Sequence, residues 1–73
     1  MKLYAVHQLF DLLDECETAL YAYQPDALQA FNDLLAAYHD SIREVHSESD
    51  THVYFEGKYD ERIKISIEEI EVQ

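Results

Sequence analysis

The chain lacks most of what small folds use to reinforce a small core. Cys16 is its only cysteine, so no intramolecular disulfide can form, and a lone thiol suits a reducing compartment such as the cytoplasm. Gly57 is the only glycine, which leaves little material for the concave, pre-organised pocket that acid–base catalysis needs, so no enzyme is expected. Positive charge is scarce as well. Five Lys and Arg residues stand against sixteen Asp and Glu, a formal net charge of −11. That balance repels phosphate backbones and anionic lipid, which argues against direct nucleic-acid or membrane binding. Long hydrophobic runs are missing too, because Asp11, Asp14 and Glu15 interrupt the longest one, well short of the roughly 18 residues of a membrane span. Met1-Lys2-Leu3-Tyr4 lacks the apolar core of a signal peptide, so a soluble, cytoplasmic protein is expected.

What is present is enough for one folded domain over 1–73, since 48% of the residues are apolar. Val6, Leu9, Leu13, Cys16, Leu20 and Tyr23 recur at three- and four-residue steps, which predicts a helix over about 4–23. Its start is ambiguous, because Leu3-Tyr4-Ala5-Val6 reads equally as a strand. Pro25, the only proline, disfavours helical geometry at Gln24 and suits the first position of a new helix. Leu28, Phe31, Leu35, Tyr38, Ile42 and Val45 then predict a second helix over about 25–46. Two such helices with a very short connection pair as an antiparallel hairpin.

Ser47-Glu48-Ser49-Asp50-Thr51 has no apolar residue and reads as a loop over about 47–51. After it the period becomes two. Val53 and Phe55, then Ile63, Ile65 and Ile67, predict a β-hairpin over about 52–72. Beyond Ile67 the parity flips to Ile70 and Val72, which implies either a bulge at Glu68-Glu69 or a separate short turn. The expected fold class is therefore α+β, an antiparallel helical hairpin followed by a β-hairpin packed on it (ααββ). Its open strand edge and small core make a homodimer possible, through strand pairing or a four-helix bundle.

On this reading Asp26, Asp33 and Asp40, seven apart and about 10.5 Å along the axis, form an acidic ridge opposite the apolar seam. Glu44 extends it, and Asp11, Asp14 and Glu15 lie on the outer side of the first helix. Tyr4 and Tyr21 project outward, where tyrosines favour contacts. A solvated helix face is the bland alternative for the acids, and scattered aromatics need no function. His39 and His46 lie seven apart with His52 beyond, but close ligand pairs are missing, so no metal site and no cofactor is assigned. Cys16 falls on the buried seam as an inert small hydrophobe.

Self-repulsion of this size destabilises the compact state, a cost that a merely soluble protein need not carry. The leading expectation is a small acidic protein that docks one face on a basic protein partner, nucleic-acid-binding proteins among the candidates, as an inhibitor or regulator. Duplex DNA carries one charge per roughly 1.7 Å, and these acids reach a density of similar order if they share a side. In composition the chain resembles phage and bacterial DNA-mimic inhibitors, including anti-restriction and anti-CRISPR proteins, with no motif of a particular family. The alternatives are a homo-oligomeric adaptor whose charge serves solubility and an antitoxin-like neutraliser of a basic toxin.

Overall fold

The computed structural model describes residues 1–10 and 15–72. They form β1 (Lys2–Phe10), β2 (Glu15–Tyr21), α1 (Gln24–Tyr38), a 3₁₀ turn (His39–Ser41), β3 (Ile42–Glu48), β4 (His52–Gly57) and β5 (Arg62–Glu71). All five strands belong to one antiparallel sheet in the order β2-β1-β5-β4-β3, so the first and last strands pair at its centre. The helical hairpin expected from the sequence is not formed. Its first helix is replaced by the β1–β2 hairpin, and its second is shortened to α1, the only α-helix among the described residues.

Both corrections have the same cause. β1 is apolar on both faces, with Tyr4, Val6 and Phe10 on one and Leu3, Ala5 and Leu9 on the other. Two alternating apolar sets laid over each other imitate three- and four-residue spacing, and a strand with this pattern is hard to tell from a helix by period alone. β2, with a threonine, an aromatic and an unbroken register from Tyr4↔Tyr21 to Phe10↔Glu15, then follows β1 as its hairpin partner. Ile42 and Val45 continue the period of α1, but they are β-branched and pair with Gly57 and Phe55 of β4. α1 starts with Pro25 in its first turn, and its end near Tyr38 is set by the strand pairing of the residues that follow, since no basic residue stabilises a C-terminus there.

α1 covers one face of the sheet. Ala27 and Phe31 are buried beneath it, and Phe31 joins Val53, Phe55, Ile63 and Ile65 in the core. Leu34, Leu35, Tyr38, Phe10, Ile42 and Ile67 pack around that cluster. The Tyr38 and Phe55 rings meet at a tilt, centroids 5.6 Å apart. Register assigns the rest of this helix side, because Val6, Gln8 and Phe10 stand opposite Ile67, Ile65 and Ile63.

The opposite face carries no helix among the described residues. Across it run the rows Cys16–Leu9–Lys64–Tyr54–Ser47, Thr18–His7–Ser66–His52 and Leu20–Ala5–Glu68. The parity flip near Glu68 is neither bulge nor turn. β5 stays in register with β1 through Glu68↔Ala5, Glu69↔Tyr4 and Ile70↔Leu3, so Ile70 simply belongs to the open face. At the β4–β5 turn, Asp60 takes a left-handed backbone with φ 63°, which aspartate tolerates better than most residues. The Glu61 side chain folds over Gly57 where a larger residue would displace it, and its carboxylate accepts the Tyr59 N–H at 2.9 Å.

Of the two sheet edges, β3 is broken by register shifts at Ile42/Glu44 and Val45/Ser47, a device that discourages further pairing. β2 pairs with β1 through an unbroken register. No helix among the described residues is long and apolar enough to cross a membrane.

Candidate acidic docking site

The helix side of the molecule holds a groove of about 420 Å³ where α1 stands away from β2. Val6, Ala19, Ala30 and Leu34 supply apolar lining, and Glu17 from β2 and Asp33 from α1 bring carboxylates to it. Register places Glu17 there: it stands opposite Gln8, whose side chain is buried on the helix side. Asp33 is one helical turn beyond Gln29, and the Gln29 amide donates to its carboxylate at 2.9 Å, which orients it. Gln8 in turn donates to the Tyr38 hydroxyl. Burial pushes the Tyr38 phenol above its ordinary value; the Gln8 contact opposes this and the charge of Glu17 adds to it.

Beside the start of α1, Tyr4 and Tyr21 face each other across β1 and β2 on this same side, both half-buried. Tyr21 lines the groove, and Tyr4 borders a second depression of about 270 Å³ with Leu28, Asp50 and Glu69. Of the acids singled out in the sequence, Asp26 and Asp33 lie exposed on α1 and Asp40 lies exposed in the 3₁₀ turn that follows. Glu15 is not on a helix but begins β2 on the helix side, opposite Phe10. Glu44 does not extend the ridge, because it pairs with Glu56 on the open face. Asp11 and Asp14 lie outside the described residues. Glu17, which no spacing in the sequence singles out, becomes a groove residue only through the β1–β2 register.

The cations sit elsewhere. Arg62 and Lys64 share the open face by parity with Ile63 and Ile65, and Arg43 is held there by Glu56 at 2.9 Å, with Asp60 at 2.7 Å. Lys58 lies in the β4–β5 turn. Lys2 remains on the helix side and is bound to Glu69 at 2.9 Å, an exposed pair. Arg43, Arg62 and Lys64 thus gather on the open face among Glu44, Glu56 and Glu68, whereas the helix side has Lys2 beside its acids.

Comparisons with protein-family models, with curated proteins and with solved structures gave no match. The reading of the site rests on its geometry.

Histidines and Cys16 also move from where the sequence put them. His39 is in the 3₁₀ turn and His46 on β3, so they do not share a helix side. Instead Glu44, His46 and Glu56 bring three donor atoms within 4.8 Å of one another on the open face. A positive partner is already there: the Arg43 guanidinium is the main reason the Glu56 carboxyl is held below its usual range, and burial opposes it. His52 is held between the Ser47 and Ser49 hydroxyls at 2.9 and 2.7 Å. His7 bridges Thr18 at 2.9 Å and Glu68 at 3.1 Å across three strands. This resembles a hydroxyl–imidazole–carboxylate relay, but its contacts are exposed and, although Thr18 borders the groove, His7 and Glu68 line neither depression. Cys16 is exposed at the end of the open face, not buried in a seam.

Proposed function

We propose that this chain is a protein-binding protein that docks its acidic helix side on the basic surface of a partner. The groove between α1 and β2 receives a lysine or arginine side chain of that partner. The observation that carries this reading is the convergence of Glu17 and Asp33, from different elements, on one groove with apolar lining. A lysine or arginine is an aliphatic stem ending in a cation, so the apolar lining suits the stem and the two carboxylates suit its head. Arg43, Arg62 and Lys64 lie on the far side of the sheet, which removes local competition for that head and leaves a field that steers a basic partner to the helix side. Nucleic-acid-binding proteins carry such basic surfaces, so inhibition or regulation of one, in the manner of a nucleic-acid mimic, follows from the same chemistry. An exposed lone thiol at Cys16 fits a reducing, cytoplasmic setting.

The test is capture from lysate on immobilised protein, with partners eluted by a salt gradient, followed by titration with an arginine-containing peptide monitored by NMR. A specific partner should elute at moderate salt, and peptide binding should shift the signals of Ala19, Ala30 and Leu34. The E17K/D33K double variant should weaken both by about tenfold or more, in line with about 1.5–3 kcal/mol for a charge-assisted hydrogen bond. Binding that ignores salt, or that survives the double variant, overturns the reading.

A further inference from the structure

We infer that the open face of the sheet is the contact between two copies of this chain, related by a two-fold axis that crosses the strands along the Thr18–His7–Ser66–His52 row. This concerns the side of the sheet opposite the docking groove, so either reading can fail without the other.

Three observations converge on it. β1 is apolar toward the open side as well as toward the helix: Leu3 and Leu9 are half-buried and Ala5 is fully buried. Ile70 joins them through the unbroken register of β5, and Leu20 beside Ala5 is left 59% exposed. A strand with apolar residues on both faces is characteristic of a sheet covered on both sides, and α1 covers only one.

Charge separates a second copy from other occupants. Two chains of net charge −11 repel, and a contact between them is least opposed where charge is balanced. The open face comes nearest to that: Glu44, Glu56, Glu68 and, at its end, Asp60 stand among Arg43, Arg62 and Lys64. A strongly basic or strongly acidic partner gains little there, whereas the acidic helix sides of a face-to-face pair point away from each other.

Symmetry gives the sharpest argument. Rotation about the Thr18–His7–Ser66–His52 row lays the row on one side of the axis over the row on the other. The row Cys16–Leu9–Lys64 then meets Leu20–Ala5–Glu68 of the second copy, and vice versa. Cys16 faces Leu20 and Lys64 faces Glu68, each twice, while Leu9 lies over the fully buried Ala5 and, one row further out, Arg62 falls over Ile70. An axis along the strands would instead lay the apolar β2 edge on the charged β3 edge. Stacked sheets about 10 Å apart and turned by about 30° keep these near-axis rows in reach. Five strands at about 4.8 Å spacing, six to ten residues long, make a face of roughly 600 Å² in projection. That is of the order of the roughly 800 Å² per partner that a stable interface buries.

Sedimentation velocity over a wide concentration range tests the proposal. The 8.6 kDa chain is expected at twice its mass, and at high salt too, because apolar burial carries the contact. Lys64→Glu alone and Glu68→Lys alone each create like-charge pairs across the axis and should raise the dimer dissociation constant at least tenfold. The K64E/E68K double variant restores both pairs and should recover dimerisation. Leu20→Lys, at an exposed position, should also give monomers, with an unchanged circular dichroism spectrum confirming that the fold is intact. A wild-type chain that stays monomeric at the highest concentration overturns the proposal. So does a dimer indifferent to all single changes, as pairing through the β2 edge would be, or a double variant no better than the singles.

Discussion

The two faces of the sheet are made by the same strands and differ in almost everything else. Toward α1, the side chains of β4 and β5 that alternate inward, Val53, Phe55, Ile63 and Ile65, meet Phe31 in a closed core, and acids gather around its margin. Away from α1, the intervening positions carry Arg62, Lys64, Tyr54 and Glu56, and the apolar residues shift to β1, β2 and the end of β5. One residue of register separates the two sets. The lesson is that the cations of this chain are not spread evenly: Arg43, Arg62 and Lys64 stand among acids on one side, and on the other Lys2 is bound to Glu69.

Three perturbations, from the largest expected effect to the smallest, sharpen that contrast, and an open-face control accompanies the first. Phe55→Ala removes a fully buried ring from the helix-side core and should cost about 3–5 kcal/mol, much of the stability of so small a domain, read as a fall in the urea midpoint. Leu20→Lys on the open face should change chain stability by no more than about 0.5 kcal/mol once measured on monomers. An open-face change as damaging as the core change would erase the distinction between the faces.

Tyr38→Phe comes next, leaving the buried Gln8 amide without its partner at a cost of about 1–2 kcal/mol. Because burial raises the Tyr38 phenol in the fold, its contribution is present below the unfolded value near pH 10 and is lost as pH rises through the folded one. The wild type should therefore lose stability in alkali more steeply than the phenylalanine variant, in thermal melts between about pH 9 and 11.

The smallest effect belongs to Arg43→Ala. In the fold Arg43 holds the Glu56 carboxyl low, so that contribution is present above the unfolded carboxylate value and is lost as pH falls through the folded one. Removing Arg43 should move the acid unfolding midpoint slightly upward in pH. Stability at neutral pH should change little, as for most exposed pairs. No upward movement would mean that Glu56 does not depend on Arg43.

The alternation from Val53 to Ile67 was legible because that segment has one apolar face and one polar face, the pattern of a half-covered strand. A break before the helix was legible from Pro25, although it falls at Ala22-Tyr23 and α1 already includes Gln24, and part of the second helix was legible from its apolar stripe, since Phe31, Leu34, Leu35 and Tyr38 do face the core. β1 was not legible as a strand, because side chains that pack on both sides of a sheet leave no polar alternation. β3 was misread because Ile42 and Val45 fit both periods, and only their β4 partners decide between them. Within the site, Asp33 could be named from helix spacing, but its companion Glu17 could not, since the two come together through strand register and the placement of a crossover helix.

By itself the sequence determined the quantities that do not depend on arrangement: one thiol, a large negative charge, an apolar content sufficient for a core, and a polar break at residues 47–51. The tertiary structure decided which acids share a surface, where the cations go and which apolar residues are left without cover. Those outcomes turn on register, and a shift of one residue in a strand sends every side chain to the opposite face while leaving composition and charge unchanged.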